Sequence, residues 1–145
     1  MDQFAYPARF TPDEGGSLMV RFRDLPEAIT SGRDVADAIE QAADCLQEAL
    51  AGRLVQRGAI PKPSKQRPGE RRIPVAMYLA PKLALFSAMQ RSGISNSDLA
   101  RRLGVTELIV RRMLNPKHDT KAGKIEAALR ALGKEAVVHV GDVAA

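Results

Sequence analysis

The spacing of hydrophobic residues along this 145-residue chain changes at Asp34. Before that position, apolar and polar residues alternate with a period of two, which places successive side chains on opposite faces of a strand. After it, apolar residues recur every three or four positions and line one side of a helix. The chain is therefore expected to start as a small antiparallel sheet and to continue as helices, which is an α+β arrangement.

Three strands are predicted ahead of this change in period. Residues 4–10 (FAYPARF) alternate, and Pro7 predicts an edge strand or a bulge, because proline has no N–H to donate. Residues 18–22 form a second strand after the turn residues 11–16 (TPDEGG). Residues 28–31 are expected to form a short third strand, so that the chain begins as an antiparallel meander.

A long helix and a fourth strand complete the first half of the chain. Asp34 is suited to cap the helix and Gly58 to stop it. The apolar stripe of this helix consists of Val35, Ile39, Ala42, Leu46, Leu50 and Leu54. Residues 60–72 contain prolines, a glycine and several basic residues, which predicts a crossover loop. Alternation resumes over residues 73–79, so the first half is predicted to be β-β-β-α-β.

Charge is divided unevenly between the two halves. Residues 1–60 carry ten acidic side chains and six arginines, a balance of −4, whereas residues 61–145 carry sixteen basic and seven acidic side chains, a balance of +9. The side of the helix opposite the apolar stripe carries an acidic row formed by Asp37, Glu40, Asp44 and Glu48. This row is either a solvated face or a docking surface for a basic partner.

The basic half contains the most informative stretch, residues 95–118. A helix that starts near Pro81 and stops at Gly93 precedes it. Ser95 followed by Asp98 resembles a capping box at the start of the next helix. A short second helix follows, so the stretch is predicted to be a helical hairpin.

The hairpin matches the helix-turn-helix pattern at three positions, Ala100, Gly104 and Val110. A small residue lets the two helices approach closely, glycine permits the turn, and valine anchors the second helix in the core. Each residue is common alone, but together and in register they indicate DNA binding.

The second helix of such a hairpin would enter the major groove with its N-terminus first. The candidate base-contacting residues are Thr106, Glu107, Leu108, Arg111 and Arg112. Arg111 is the leading candidate, because a guanidinium can bond guanine O6 and N7 together. The candidate phosphate-contacting residues are Arg101, Arg102, Lys117, His118, Thr120 and Lys121. Any one of these charges could instead be a solvated surface residue.

The chain is predicted to end with a helix over about 120–132 and a terminal strand over 136–140. An unpaired strand is suited to pairing with a second copy, so a homodimer or a higher even oligomer is expected. A disordered tail is the alternative. The chain is thus divided into an α+β domain, 1–79, and an all-helical domain, 80–145.

Several classes of protein are disfavoured by the sequence. The lone Cys45 cannot form an internal disulfide, so a cytoplasmic location is expected. No apolar run reaches the ~20 residues that a membrane span needs. No catalytic triad pattern, phosphate loop or cofactor motif is recognisable, and no metal site is predicted. The enzyme alternative is a metal-dependent nuclease built on turn carboxylates, namely Asp13, Glu14, Asp24 and Glu27.

Four segments in order, YPARF, GGSLMVRFRDLP, TSGRDVADAIEQAADCLQEAL and IPKPS, resemble the HicB antitoxins of HicAB type II toxin–antitoxin systems. The resemblance covers most of the first eighty residues, and the hairpin is similar to that of HicB members with a C-terminal helix-turn-helix domain. It implies a partial ribonuclease-H-like first domain that binds and neutralises a HicA-like, mRNA-cleaving toxin. It also implies that the second domain represses the antitoxin's own operon.

The runner-up is a dimeric transcriptional repressor whose first domain binds an effector or only oligomerises. It shares every DNA-binding feature with the antitoxin. The two hypotheses differ in the partner of the first domain, which is a basic toxin in one case and not in the other.

Overall fold

A computed structural model describes residues 3–143 of the chain. Over that range it contains four strands and five helices, which confirms the predicted mixed α+β class. In chain order they are β1 (Ala5–Pro12), β2 (Leu18–Phe22), β3 (Leu25–Gly32), α1 (Val35–Val55), β4 (Glu70–Pro74), α2 (Ala80–Ser92), α3 (Asn96–Leu103), α4 (Glu107–Met113) and α5 (Ala122–Ala131).

The strands form one antiparallel sheet in the order β3-β2-β1-β4. The first three are the predicted meander, and β4 returns beside β1 after the long helix. Helix α1 covers one face, above the fully buried Tyr6, Ala8 and Val20. A Cβ on Gly32 would lie 2.3 Å from the backbone nitrogen of Ala38, so only glycine lets the helix begin directly against the strand that precedes it.

Pro7 lies in a central strand, so the predicted edge position is wrong. The pairing of β1 with β2 begins only at Ala8 and Phe22, one residue after the proline. The N–H of Val75 bonds to the carbonyl of Phe4 on the β4 side at 2.8 Å, and alternate residues of a strand point their bonds to alternate sides. The nitrogen of Pro7 therefore points toward β2, at a position where β1 and β2 are not yet paired. Its missing N–H costs no hydrogen bond there.

Helix α1 begins as predicted and ends earlier. The Asp34 side chain accepts a hydrogen bond from the N–H of Asp37 at 2.8 Å, which makes Asp34 the N-cap. At the other end, Arg57 takes the left-handed conformation with φ of 54°. The N–H of Gly58, the predicted stop, instead bonds to the carbonyl of Arg53 at 2.8 Å.

The buried side of α1 differs from the predicted stripe only in the first turns. Val35 is exposed and Ile39 is half-buried. The reason is the close approach at Gly32, which turns Ala38 toward the sheet. The buried residues are Ala38, Ala42, Leu46, Leu50 and Leu54.

Strand β4 starts before the predicted 73–79 and ends sooner, so most of that predicted strand is wrong. The nitrogen of Pro74 points to the open edge of the sheet, so its missing N–H costs no hydrogen bond, and the N–H of Val75 still bonds to the carbonyl of Phe4. The next free N–H, that of Ala76, bonds to the side chain of Gln47 on α1 at 2.9 Å. The chain then turns away from the sheet, with Met77 72% exposed, and enters α2.

The last three residues of the predicted crossover loop over 60–72 therefore belong to β4. The hydroxyl of Tyr6 donates to the carbonyl of Pro61 at 2.6 Å. The Arg23 guanidinium bonds both carboxylate oxygens of Glu70, at 2.8 and 3.1 Å, and the Glu70 side chain is only 3% exposed. This ion pair fixes the end of the loop at the point where β4 begins.

Helix α2 lies between α1 and α5. It begins at Ala80, with the predicted Pro81 in its first turn, and stops at Gly93, which has a left-handed φ of 66°. One hydrophobic cluster runs from the sheet through α2 to α5. The Arg57 guanidinium lies over the Phe86 ring, 5.5 Å from its centroid, and adds a contact between α1 and α2. The predicted domain boundary at residue 79 thus falls at the first turn of a shared, buried helix.

The predicted terminal strand over 136–140 is wrong for the part of the chain that the structure describes. Helix α5 ends at Ala131, Gly133 lies in the turn that follows, and residues 134–143 form no regular secondary structure. Their valines are exposed, Val140 to 93%. A strand needs a neighbour for its N–H and C=O groups, and none of the four strands pairs with this segment.

The variant Glu70→Gln is expected to lower the free energy of unfolding by about 2 kcal/mol, because Arg23 loses its charged partner in a buried site. The hydrogen bond from Arg23 holds the pKa of Glu70 at about 2, below its ordinary 4.5. The ionised carboxylate therefore stabilises the fold above about pH 4.5, and this contribution is lost as the pH falls toward 2. Urea unfolding at neutral and acid pH measures both effects.

The matched control is Glu126→Gln, which removes an exposed ion pair with Arg130 at 3.3 Å. Its effect should stay within about 0.5 kcal/mol, as for other exposed pairs. Equal losses in the two variants would contradict the role given to Glu70.

Candidate functional site

Helices α3 and α4 form a hairpin with well-defined ends. The Ser95 hydroxyl accepts from the N–H of Asp98 at 3.1 Å, and the Asp98 carboxylate accepts from the N–H of Ser95 at 3.2 Å, which is the predicted capping box. Gly104 ends α3 with a left-handed φ of 67°, which favours glycine. The N–H of Val105 bonds back to the carbonyl of Ala100 at 3.0 Å and closes the turn.

The start of α4 projects from this hairpin, while Val110 anchors the helix in the core. Of the five candidate base-contacting residues, Glu107 is half-buried. The other four are exposed: Thr106, Leu108, Arg111 and Arg112. Leu108 is 45% exposed, so it is a surface residue. The predicted set therefore lies on the outward part of one short helix.

Arg111, the leading candidate, is paired in the free protein. Its guanidinium contacts the Glu107 carboxylate at 2.6 Å, one helical turn earlier. The Asn96 side-chain amide donates to the same carboxylate at 3.4 Å. The hydrogen bond from Arg111 lowers the pKa of Glu107, so this acid remains ionised at neutral pH. A ligand that binds Arg111 must displace Glu107 or share the guanidinium with it.

The candidate phosphate-contacting residues surround the hairpin. Five of them are exposed: Arg101, Arg102, Lys117, His118 and Lys121. Arg101 forms an ion pair with Asp98 in the preceding turn. Thr120 is half-buried, and its hydroxyl contacts the His118 ring nitrogen Nδ1 at 2.8 Å. The structure thus leaves five of the six exposed and holds Thr120 in an internal contact.

The internal contact of Thr120 is with Lys82, a 2% exposed residue of α2. Its Nζ donates to the carbonyls of Arg112 and Met113 at 3.3 and 3.2 Å, and to Thr120 Oγ1 at 3.0 Å. These bonds satisfy carbonyls that the end of α4 leaves free and put a positive charge at the negative end of the helix dipole. Burial lowers the pKa of Lys82, while nearby Asp119 opposes that shift.

Sequence reasoning missed both Lys82 and Glu70. The lysine within the apolar run of α2 is a signal that the sequence does contain. A lysine is rarely buried unless its charge has a partner, so its position among apolar residues indicates such a partner. The partners that satisfy its charge lie thirty or more residues away, and the sequence pattern does not locate them.

The acidic row lies along the solvent side of α1, where Glu40, Asp44 and Glu48 are exposed. Asp37, at the start of the row, is half-buried. It accepts from the Arg33 N–H at 2.8 Å and from the Arg33 guanidinium at 3.3 Å, and these bonds lower its pKa. Within residues 3–143 the other three carboxylates form no ion pair.

Carboxylates of the nuclease alternative make structural contacts. Asp24 accepts from the N–H of Ser64 at 2.8 Å and from its hydroxyl, which ties the turn after β2 to the crossover loop. Glu27 binds the Arg53 guanidinium at 2.7 Å. Among the residues that the structure describes, no three His, Cys, Asp or Glu side chains converge as a metal site would require.

Comparisons with known proteins give the family. The family described as "HicB_like antitoxin of bacterial toxin-antitoxin system" matches residues 5–84, from β1 into α2. The chain belongs to the HicB-like antitoxin family. Antitoxin HicB of Escherichia coli (strain K12) is 38% identical over 130 residues, which cover 90% of this chain and 94% of that relative. Antitoxin HicB 2 of Photorhabdus laumondii subsp. laumondii is 38% identical over 129 residues, with 89% and 91% covered.

The predicted resemblance is thereby confirmed. As a HicB-like antitoxin, the chain is a component of a toxin–antitoxin system and has a toxin as a partner. Its relatives are named as antitoxins and not as enzymes, in agreement with the sequence analysis. None of the helices described over residues 3–143 combines the length and apolar character needed to cross a bilayer.

The variant Lys82→Met is expected to lower the free energy of unfolding by about 2 kcal/mol, because the buried carbonyls at the end of α4 lose their charged donor. Amide exchange should accelerate most in α4, which mass spectrometry can resolve by segment. Lys124→Met, at an exposed position on α5, is the control and should change stability by no more than about 0.5 kcal/mol. Unchanged exchange in α4 would show that Lys82 does not support this helix.

Proposed function

We propose that this HicB-like antitoxin neutralises a HicA-like, mRNA-cleaving toxin through its first domain and represses its own operon through its second. The observation that carries the proposal is the separation of two surfaces of opposite charge, the acidic row on α1 and the exposed basic residues around the α3–α4 hairpin. A basic ribonuclease complements the first surface, and operator phosphates complement the second. This function would place the protein in the cytoplasm.

The first domain, residues 1–79, is proposed to be a partial ribonuclease-H-like unit that inhibits without chemistry. The acidic row offers exposed carboxylates at Glu40, Asp44 and Glu48, with Asp37 one turn before them. Carboxylates spaced along a helix imitate the phosphates of RNA, so they can occupy the surface with which a basic toxin holds its substrate. The structural contacts of Asp24 and Glu27 support inhibition over a residual nuclease activity.

The second domain, residues 80–145, is proposed to be a helix-turn-helix with α4 as its recognition helix. Arg111 would leave Glu107 and bond to a guanine, while Thr106, Leu108 and Arg112 contact neighbouring base edges. Phosphate contacts are proposed for the exposed basic residues around the hairpin, Arg101, Arg102, Lys117, His118 and Lys121. Glu107 would then act against wrong sequences, because Arg111 gives up this ion pair only for a base that replaces the lost hydrogen bonds.

We expect a homodimer or a higher even oligomer on the DNA. A two-fold dimer presents two recognition helices to a palindromic operator. The exposed valines after α5 supply an apolar surface for that contact, with no strand needed in the isolated chain.

The variant Arg111→Ala is expected to weaken operator binding by about 1–3 kcal/mol, because a bidentate contact to one base is lost. Binding to a random duplex of equal length should change much less. Fluorescence titration of both duplexes with the full chain measures the difference. Lys117→Ala is the control for a phosphate contact and should weaken both duplexes alike. Equal losses for Arg111→Ala would assign Arg111 to a phosphate.

The variant that combines Glu40→Gln, Asp44→Asn and Glu48→Gln is expected to weaken binding to the toxin of the same operon roughly tenfold or more, since three favourable charge contacts are lost. Calorimetry at two salt concentrations measures the affinity and its charge dependence. The control combines Glu126→Gln, Glu135→Gln and Asp142→Asn, which are exposed acids of the second half. Unchanged toxin binding would place the contact elsewhere, and no toxin bound by the wild type would favour the simple repressor.

A further inference from the structure

The open face of the sheet, on the side away from α1, carries a row of side chains across all four strands. Ile29 of β3 lies opposite Arg21 of β2, Arg21 opposite Arg9 of β1, and Arg9 opposite Glu70 of β4. Ala8, the neighbour of Arg9 in β1, is fully buried on the other face beneath α1. The first half of the chain is acidic overall, yet this face is basic.

A shallow groove surrounds the row, and two further arginines line it. We call it the arginine groove, formed by Arg9, Arg21, Arg23 and Arg67. Glu70 is the one carboxylate among the residues that line it. Its oxygens already accept from Arg23 at 2.8 and 3.1 Å and from the Arg67 N–H at 2.7 Å. Glu70 is therefore already bonded to Arg23 and to the backbone.

Arg9 and Arg21 are left without a carboxylate of their own in the part of the chain that the structure describes. Arg9 donates to the carbonyl of Pro68 at 3.4 Å, and Arg21 contacts the Met19 sulfur at 3.3 Å. Both are weak contacts for a guanidinium. Like charges directly opposite each other across a strand pair destabilise a sheet, so the free protein carries a strain that a bound anion would relieve.

The turn before β4 is shaped around one of these two arginines. Gly69 takes a left-handed φ of 85°, and a Cβ at this position would lie 3.0 Å from a terminal nitrogen of Arg9. Glycine here lets the guanidinium lie against the turn at the rim of the groove. The fold thus fixes the position of Arg9, whose guanidinium bonds to a backbone carbonyl and lies near Glu70 without an ion pair to it within residues 3–143.

The placement of the groove excludes two protein occupants. A basic toxin would be repelled by four guanidinium groups around one carboxylate. The acidic row of a second copy has the right charge, but the row and the groove lie on opposite sides of the first domain. Contacts between them would join copies head to tail, which generates rings or open filaments rather than the two-fold dimer proposed for operator binding.

We propose that the arginine groove binds the phosphate backbone of single-stranded RNA. Guanidinium groups bond phosphates in bidentate fashion and stack on exposed bases. The groove lies on a sheet with no projecting helix to enter a duplex, so a flexible single strand fits it. The choice of RNA rests on the proposed function, because the substrate of the toxin would be the single strand nearest to the complex.

The test uses the full chain with a labelled single-stranded RNA of mixed sequence, and with single-stranded DNA and duplex DNA of equal length. The variant Arg9→Gln with Arg21→Gln should weaken RNA binding at least tenfold. It should also lower the slope of log affinity against log salt by about 1.4, at ~0.7 for each phosphate contact to a single strand. Operator binding and the circular dichroism spectrum should remain those of the wild type.

Two control variants locate the binding. Arg33→Gln removes an arginine that is 88% exposed at the start of α1 and should leave RNA binding unchanged. Arg111→Gln with Arg112→Gln should reduce operator binding and leave RNA binding intact, which separates this proposal from the proposed repression. RNA binding that is absent in the wild type, unaffected by Arg9→Gln with Arg21→Gln, or lost only in the α4 variant would overturn the proposal. Equal binding of duplex DNA through Arg9 and Arg21 would overturn it as well.

Discussion

Burial of α2 is the constraint on which both halves of this HicB-like antitoxin depend. The helix is apolar on most sides, so it must be covered by α1 on one side and by α5 on the other. Its one buried charge, Lys82, is satisfied only by the carbonyl end of α4 and by Thr120. The same helix therefore closes the core and fixes the end of α4. A shift of α2 would move the proposed recognition helix with it.

Much of the fold could be predicted because local signals and tertiary packing agree. The cap at Asp34, the capping box at Ser95 and the left-handed turn at Gly104 are encoded within four or five residues. Predictions failed where a contact with a residue distant in sequence determined the local structure. Gly32 rotates the start of α1, and Gln47 binds the N–H of Ala76 where the chain leaves the sheet. These partners lie on other elements, so no window of the sequence contains both.

The candidate site shows the same division. The outward residues of α4 follow from helical period alone, and the structure places them on one surface. The ion pair of Arg111 with Glu107 is also local, at one helical turn, but its consequence was missed because both residues were considered as ligand contacts. Lys82 was missed because its partners are non-local. The residues that hold a site in place are harder to predict than the residues of the site, because they come from elements that are distant in sequence and pack behind it.

The net charge of the first half does not describe its individual surfaces, because successive side chains of a strand point to opposite faces of the sheet. Residues 1–60 sum to −4, which predicts a basic partner for the whole unit. The acids, however, gather on the outer side of α1, whereas Arg9 and Arg21 stand on odd positions of paired strands and share the opposite face. Register puts these like charges side by side, and both carboxylate oxygens of the nearest acid, Glu70, are already bonded to Arg23. One small domain can therefore present an anionic surface to a protein and a cationic one to a nucleic acid, with α1 and the sheet keeping them apart.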